Sequence, residues 1–175
     1  MINKILVMRI FLIGYMGSGK TTVGKKIAGK MKFDFLDMDD YIEETAGKQI
    51  YKIFAEDGEN KFRTLEKEAI QHFITLNNII ISTGGGAPCF FNNMETLNAN
   101  GITIYLKMTV PALVSRLTES KTRRPLITGK SKEDLENYIS KTLEKRAPYY
   151  NRAKVIINGE SIDIGSLINT LHAHC

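Results

Sequence analysis

The sequence predicts an α/β fold in which helices cover both faces of a parallel β-sheet. Five short apolar runs recur along the 175 residues, longer segments of helical spacing separate them, and the inner runs are continuously apolar rather than alternating. Hydrophobic residues make up 43% and charged residues 25%, the balance of a folded globular chain, which excludes collagen-like, disulfide-framework and disordered classes. The length is that of one domain with a sizeable core, so residues 1–175 are expected to fold as a unit.

The first run, 10–13, reads as a buried strand. Ahead of it, Ile5 to Met8 with Lys4 imitates a short leader, but Arg9 breaks the apolar stretch and no small-residue cleavage site precedes the glycine-rich loop. A helix is expected over 21–31 and a second strand over 33–36. Helix 60–76 leads into strand 79–81, whose Ile79-Ile80-Ile81 suits a sheet covered on both faces. Strand 102–106 is β-branched and aromatic. Helix 110–118 carries Pro111 at an early position, and helix 132–147 has Ser131 as N-cap with Asp134 three residues on. Strand 155–157 and helix 164–171 complete the alternation. Residues 120–130 are polar, basic and short of apolar anchors, as in a surface loop, and the tail from His172 to Cys175 reads as a fraying last turn.

Composition narrows the function. No stretch of about eighteen uninterrupted apolar residues exists to span a bilayer. Cys89 and Cys175 lack CxxC spacing, which leaves no zinc ligand set and suits a reducing compartment, so a cytoplasmic location is expected. Twenty-four Lys and Arg against nineteen Asp and Glu give a formal charge of +5, which suits an anionic ligand without indicating nucleic acid.

The strongest motif is Gly14-Tyr15-Met16-Gly17-Ser18-Gly19-Lys20-Thr21, which satisfies G-x-x-x-x-G-K-[ST] directly after the first strand and before a helix. Glycines let successive backbone N–H groups turn inward around phosphate oxygens, and the helix adds the positive end of its dipole. Lys20 is expected to bridge the β- and γ-phosphates, and the Thr21 hydroxyl to take a position on Mg²⁺. A nucleoside triphosphate is the expected ligand, whether for a kinase, a switch, a motor or a transporter.

Other features are ambiguous one by one. Asp37 and Asp39 flank Met38 at the end of the second run and in extended geometry face one side, either around Mg²⁺ or a hydroxyl-bearing substrate, or as two solvated acids. Arg63 and Glu66, three apart in Phe62-Arg63-Thr64-Leu65-Glu66, are neighbours on a helix face and by themselves read as a surface ion pair. Gly84-Gly85-Gly86 follows the third strand, where an aspartate often stands in phosphate-loop proteins, and is either a tight turn or bare backbone for a substrate. Cys89 reads as a small, buried apolar residue.

Taken in order, the phosphate loop, Asp37-Met38-Asp39, the segment Asp57-Gly58-Glu59 leading into F-R-x-x-E, the glycine triplet, Arg124-Pro125-Leu126 and Arg146-Ala147-Pro148-Tyr149-Tyr150 resemble the shikimate kinase family over nearly the whole chain. The resemblance implies a three-layer phosphate-loop NTPase sandwich of the nucleoside-monophosphate-kinase type, with a five-stranded parallel sheet, a substrate-binding helical region about 37–66 and a lid about 119–131. It implies ATP and Mg²⁺, with Gly17, Ser18, Gly19, Lys20, Thr21 and Thr22 around the nucleotide, Arg116 stacking on adenine, and Thr21 and Asp37 serving the metal. Asp39 then holds the acceptor hydroxyl, Arg63 and Arg146 clamp the shikimate carboxylate with Gly85 and Gly86 beside them, Glu66 orients Arg63, and Arg124 is the lid arginine. Lys20, Asp39 and Arg124 are the catalytic set. Arg123, next to Arg124, is a second candidate for the phosphates; Thr21-Thr22, where serine often comes first, preserves the hydroxyl. The expected partner is the small molecule shikimate, with neither nucleic acid nor membrane, and the chain is expected to act as a monomer. Alternatives are a gluconate-type or nucleoside-monophosphate-type kinase on the same scaffold, or a nucleotide-dependent switch, which would need no carboxylate clamp.

Overall fold

Each of the five apolar runs becomes a strand: β1 (Arg9–Ile13), β2 (Asp34–Asp37), β3 (Ile79–Ser82), β4 (Ile102–Lys107) and β5 (Val155–Asn158). The computed structural model describes residues 8–120 and 131–173. All pairings are parallel and the order is β2-β3-β1-β4-β5, so β1 lies in the centre and has no edge. That position explains why Ile10 to Ile13 are fully buried and apolar without alternation.

Helices α1 (Lys20–Met31) and α8 (Ile164–Ala173) cover one face, closing over Ile10, Leu12, Ile80, Ile104 and Leu106. The other face packs Phe11, Ile13, Ile79, Ile81 and Tyr105 under α2 (Met38–Ala46), α4 (Gly58–Phe73) and α5 (Asn93–Asn100). A third apolar cluster, including Leu113, Leu117 and Ile139, joins α6 (Val110–Glu119) to α7 (Lys132–Tyr150). The caps form as expected: Ser131 Oγ accepts from the Asp134 N–H at 3.1 Å, and Pro111 sits in the first turn of α6.

Several elements depart from the sequence reading. Helix α2 and the short α3 (Ile50–Lys52), with the π-helical turn Ile53–Asp57 that follows it, show no helical spacing in the sequence, although they lie within the region 37–66 for which the family resemblance implies helices; α5 falls where no helix is expected. In α5 only Asn93, Met94 and Leu97 are buried, too short an apolar stripe to register as a period. Helix α4 starts and ends earlier than 60–76, and α7 overruns residue 147 with Pro148 inside it, because fully buried Tyr150 anchors its last turn in the core. The last helix runs on to Ala173 where fraying is expected from His172; residues 174 and 175 lie outside the described residues. Among the described residues no helix is long and apolar enough to cross a membrane.

The core predicts its own sensitivity. Phe11→Ala, which empties a fully buried site on the central strand, is expected to lower the unfolding free energy by about 3–5 kcal/mol, read from urea denaturation.

Candidate active site

The phosphate loop leaves β1 and turns tightly into α1. Gly17 and Gly19 have φ of 80° and 92°, a region that L side chains rarely adopt, so the glycines of the motif are required by the turn. Lys20 folds back over the loop, its Nζ donating to the carbonyls of Gly14 at 2.9 Å and Tyr15 at 3.0 Å. The buried Ser18 hydroxyl has no hydrogen-bond partner among the described residues. Arg116, from α6, lies across the loop and donates to the carbonyls of Gly17 (3.4 Å), Ser18 (3.2 Å) and Gly159 (3.3 Å), tying it to the turn after β5.

An oxygen-rich corner adjoins the loop. Thr21 Oγ1 donates to Asp37 Oδ2 at 2.7 Å and lies 3.4 Å from Ser82 Oγ. Parallel register places Asp37 opposite Ser82 at the ends of β2 and β3, so the acid comes from the outer strand and the serine stands where an aspartate was absent. The extended geometry expected to carry both Asp37 and Asp39 stops at Asp37. Asp37 ends the strand and caps α2, its Oδ1 accepting from the Asp39 N–H at 3.1 Å, and Asp39 belongs to the helix's first turn. Both acids still line one cleft of about 300 Å³, together with Lys20, Thr21, Ser82 and Gly85.

The glycine triplet adjoins this cleft, and its bareness has a use other than turn-making. A Cβ on Gly86 would lie 2.5 Å from Arg63 Nη1, one on Gly85 would lie 3.3 Å from Arg146 Nη1, and one on Gly84 would overlap Glu66 Oε1 while lying 3.4 Å from Asp39 Oδ1. Four side chains from α2, α4 and α7 thus converge on three successive glycines. Arg63 and Glu66 are no surface pair: their side chains are 11% and 1% exposed and Arg63 Nη1 donates to Glu66 Oε2 at 2.8 Å. The Arg63 guanidinium also lies 4.1 Å over the ring of Phe90, and Arg146 lies 5.4 Å from the ring of Tyr15. Tyr150 donates its hydroxyl to the Gly85 carbonyl and accepts from Arg146 Nη1 at 3.4 Å, which ties the end of α7 to the triplet.

Burial raises the Glu66 carboxyl to about 7, with Asp39 adding to the rise and Arg63 and Arg146 opposing it. Partial burial likewise pushes the Cys89 thiol up to about 11, although the residue, expected to be buried, is only half-buried. Sequence reasoning did not assign Ser82, Phe90 or Tyr150 to the site; only Tyr150, as the last residue of R-A-P-x-Y, stood in a quoted motif. Arg123 and Arg124 lie outside the described residues, as does most of the segment 119–131.

A larger hollow of about 530 Å³ opens elsewhere, lined by Glu43, Lys48, Gln49, Lys52 and Glu56. It contains none of the loop or triplet residues. Lys48 spans it, paired with Glu56 at 2.9 Å and Asp57 at 2.8 Å, and it reads as a polar surface fold held by partly exposed ion pairs. The chemistry therefore belongs to the smaller cleft.

A loop shaped for a polyphosphate, set beside two arginines and two acids gathered on a glycine triplet, is the working edge of a small-molecule phosphate-loop kinase. Comparison with known proteins narrows that class. The family model for shikimate kinase matches residues 16–171, and the chain belongs to the shikimate kinase family. A shikimate kinase from Parabacteroides distasonis is 45% identical over 167 residues, covering 93% of this chain and 96% of the relative. The crystal structure of shikimate kinase from Bacteroides thetaiotaomicron superposes with a TM-score of 0.89 at 42% identity, over 96% of this chain and 98% of that one. Shikimate kinase from Acinetobacter baumannii in complex with shikimate gives 0.86 at 30% identity, over 97% and 96%. A gluconokinase from Sinorhizobium meliloti, at 14% identity and a TM-score of 0.58 over 95% and 90%, shares the fold alone.

The raised Glu66 carboxyl has a consequence for stability. The folded chain holds a proton that the unfolded chain releases, so this contribution is complete below about pH 4.5 and is lost as pH rises through about 7. Against Glu66→Gln, which carries no titrating proton, the wild-type protein is expected to lose about 1.4 kcal/mol of relative stability per pH unit across that window. A difference independent of pH in chemical denaturation would show Glu66 ionised throughout.

Proposed function

We propose that the chain, a kinase that acts on shikimate with ATP as donor, transfers the γ-phosphoryl group to the 3-hydroxyl of shikimate, giving shikimate 3-phosphate and ADP on the path to aromatic amino acids. The observation that carries this reading is the convergence of Arg63, Arg146 and Asp39 on the glycine triplet beside the phosphate loop. One planar carboxylate gripped by two guanidinium groups is fixed in orientation as well as position, which lysines do not achieve.

The residues divide between two anions. Backbone N–H groups of Gly17, Ser18 and Gly19, with Lys20, Thr21 and Thr22, take the triphosphate, and Lys20 exchanges the carbonyls of Gly14 and Tyr15 for phosphate oxygens. Arg116 flanks the same loop and takes the adenine side. Asp39 positions the acceptor hydroxyl and accepts its proton as the new P–O bond forms, while the P–O bond to ADP breaks. Arg63, Arg146, Gly85 and Gly86 hold the acid end of the acceptor, with Glu66 fixing Arg63. Arg124, ahead of Arg123 for its position directly before Pro125, completes the charge on the transferring group from the lid segment.

Mg²⁺ fits the corner formed by Thr21 Oγ1, Asp37 and Ser82 Oγ, because every donor there is a hard oxygen and the corner opens on the phosphate loop. When bound, the ion neutralises charge on the β- and γ-phosphates. Among the described residues no group of three or more His, Cys, Asp and Glu forms a separate metal site. A monomer working in the cytoplasm, with neither nucleic acid nor membrane as partner, belongs to the same reading, and the free thiol of Cys89 suits that compartment.

An acceptor screen tests the assignment. With MgATP the purified protein is expected to release ADP rapidly only when shikimate is present; equal turnover with gluconate or a nucleoside monophosphate, and none with shikimate, would reject it. Arg63→Ala tests the clamp. Acceptor binding is expected to weaken by about 2 kcal/mol or more with ATP binding nearly intact, measured by calorimetry, and an unchanged acceptor affinity would remove Arg63 from the site.

A further inference from the structure

Arg63 is already occupied before any acceptor arrives. Besides giving Nη1 to Glu66, it directs both Nε, at 3.1 Å, and Nη2, at 2.7 Å, to the single oxygen Glu59 Oε1. Arg146 differs, since among the described residues no carboxylate lies within ion-pair distance of it. An incoming acid therefore meets one guanidinium with no carboxylate on it and one whose N–H groups two carboxyl groups already occupy.

Those two carboxylates are not equally fixed. Glu66 is buried and hemmed in by Gly84 and Asp39. Glu59 stands in the first turn of α4 with its side chain 56% exposed, so rotation about its own bonds carries it into water. A pair with its acid partner largely in water is weaker and more easily exchanged than a buried one. The edge it covers, Nε with Nη2, is one that takes a carboxylate through parallel hydrogen bonds.

We propose that Glu59 is an internal carboxylate that occupies Arg63 in the unliganded enzyme and is displaced by the carboxylate of the acceptor. The proposal rests on the reading of Arg63 as part of the acceptor clamp. Glu59 then does two things at once. It keeps the free edge of the guanidinium closed to stray small anions, and it sets the affinity of the acceptor, which must replace the pair that it breaks.

Steady-state kinetics on the full-length wild-type enzyme, Glu59→Gln, Glu59→Ala and Arg63→Ala test this. Both Glu59 variants are expected to lower the KM for shikimate about two- to fivefold, the range set by one exposed ion pair, with the KM for ATP unchanged. Acetate, used as a probe, is expected to compete with shikimate at lower concentration in Glu59→Ala than in the wild type. A Glu59 that merely positions Arg63 would raise the KM for shikimate when replaced, and that result, or no change in either variant, would overturn the proposal. Arg63→Ala separates the two readings: if it leaves the KM for shikimate unchanged, the clamp itself is wrong, whereas a large rise there with no gain in the Glu59 variants rejects the displaced carboxylate alone. KM does not depend on the fraction of enzyme folded, so a modest loss of helix stability from removing an acid in the first turn of α4 leaves the outcome readable.

Discussion

All five strands run in one direction, and a parallel sheet delivers every strand's C-terminal end to the same edge. The phosphate loop follows β1, Asp37 closes β2, and Ser82 with the glycine triplet closes β3, so segments seventy residues apart in sequence meet without any connection having to cross the site. The order β2-β3-β1 adds the second half of the constraint. The chain leaves β1 for β2, skipping over the place that β3 later fills, and a crevice remains outside the strand ends where the connections diverge. A sheet with one of these strands reversed would move its chemistry to the opposite edge of the molecule.

Within that crevice the two halves solve the problem of holding anions in different ways. The nucleotide half uses backbone: glycines in left-handed conformations, a helix start and one lysine. Such a cradle fits any triphosphate and discriminates little. The acceptor half uses side chains that are largely out of water, with Glu66 buried beneath Arg63 and its carboxyl raised to about 7 by that burial. Breaking a buried pair leaves an uncompensated charge, so Arg63 has one place to be. Rigidity of this kind is what selection of a particular acceptor requires, and it resides in α4 and α7 rather than in the loop shared with other phosphate-loop proteins.

How much of this could be read beforehand follows from the range of each signal. Strand positions were legible because a strand buried on both faces writes itself as an unbroken apolar run, and the loop was legible because its glycines are dictated locally. The elements around Asp39 were not legible from spacing, and only the family resemblance implied a helical region there. Asp37 is at once the last residue of β2 and the cap of α2, so the period changes from two to 3.6 with no turn residue between to mark it, and the extended geometry expected for Asp39 gives way to a helix. Ser82 carried no signal because its place depends on register with Asp37, a tertiary fact. Pro148 suggested a helix end, but burial of Tyr150 and its bond to the Gly85 carbonyl outweigh one missing N–H. Glu59, the second carboxylate on Arg63, was hidden for a similar reason: at four residues' spacing the pair looks like any helix-surface bridge.

The glycine triplet shows where a correct motif can carry the wrong physics. Three glycines after a strand suggest conformational need, yet none of Gly84, Gly85 and Gly86 has a positive φ. What a side chain meets there is occupancy, since Cβ atoms on Gly84 and Gly86 would overlap Glu66 Oε1 and Arg63 Nη1 and push those groups aside, and one on Gly85 would press on Arg146 Nη1 at 3.3 Å. The triplet is thus a floor on which the acids and arginines of the acceptor half rest, and its sequence is fixed by residues that arrive from other elements. Alanine would fit the backbone and still displace the chemistry, which is why a motif of this composition marks the site more specifically than the phosphate loop does.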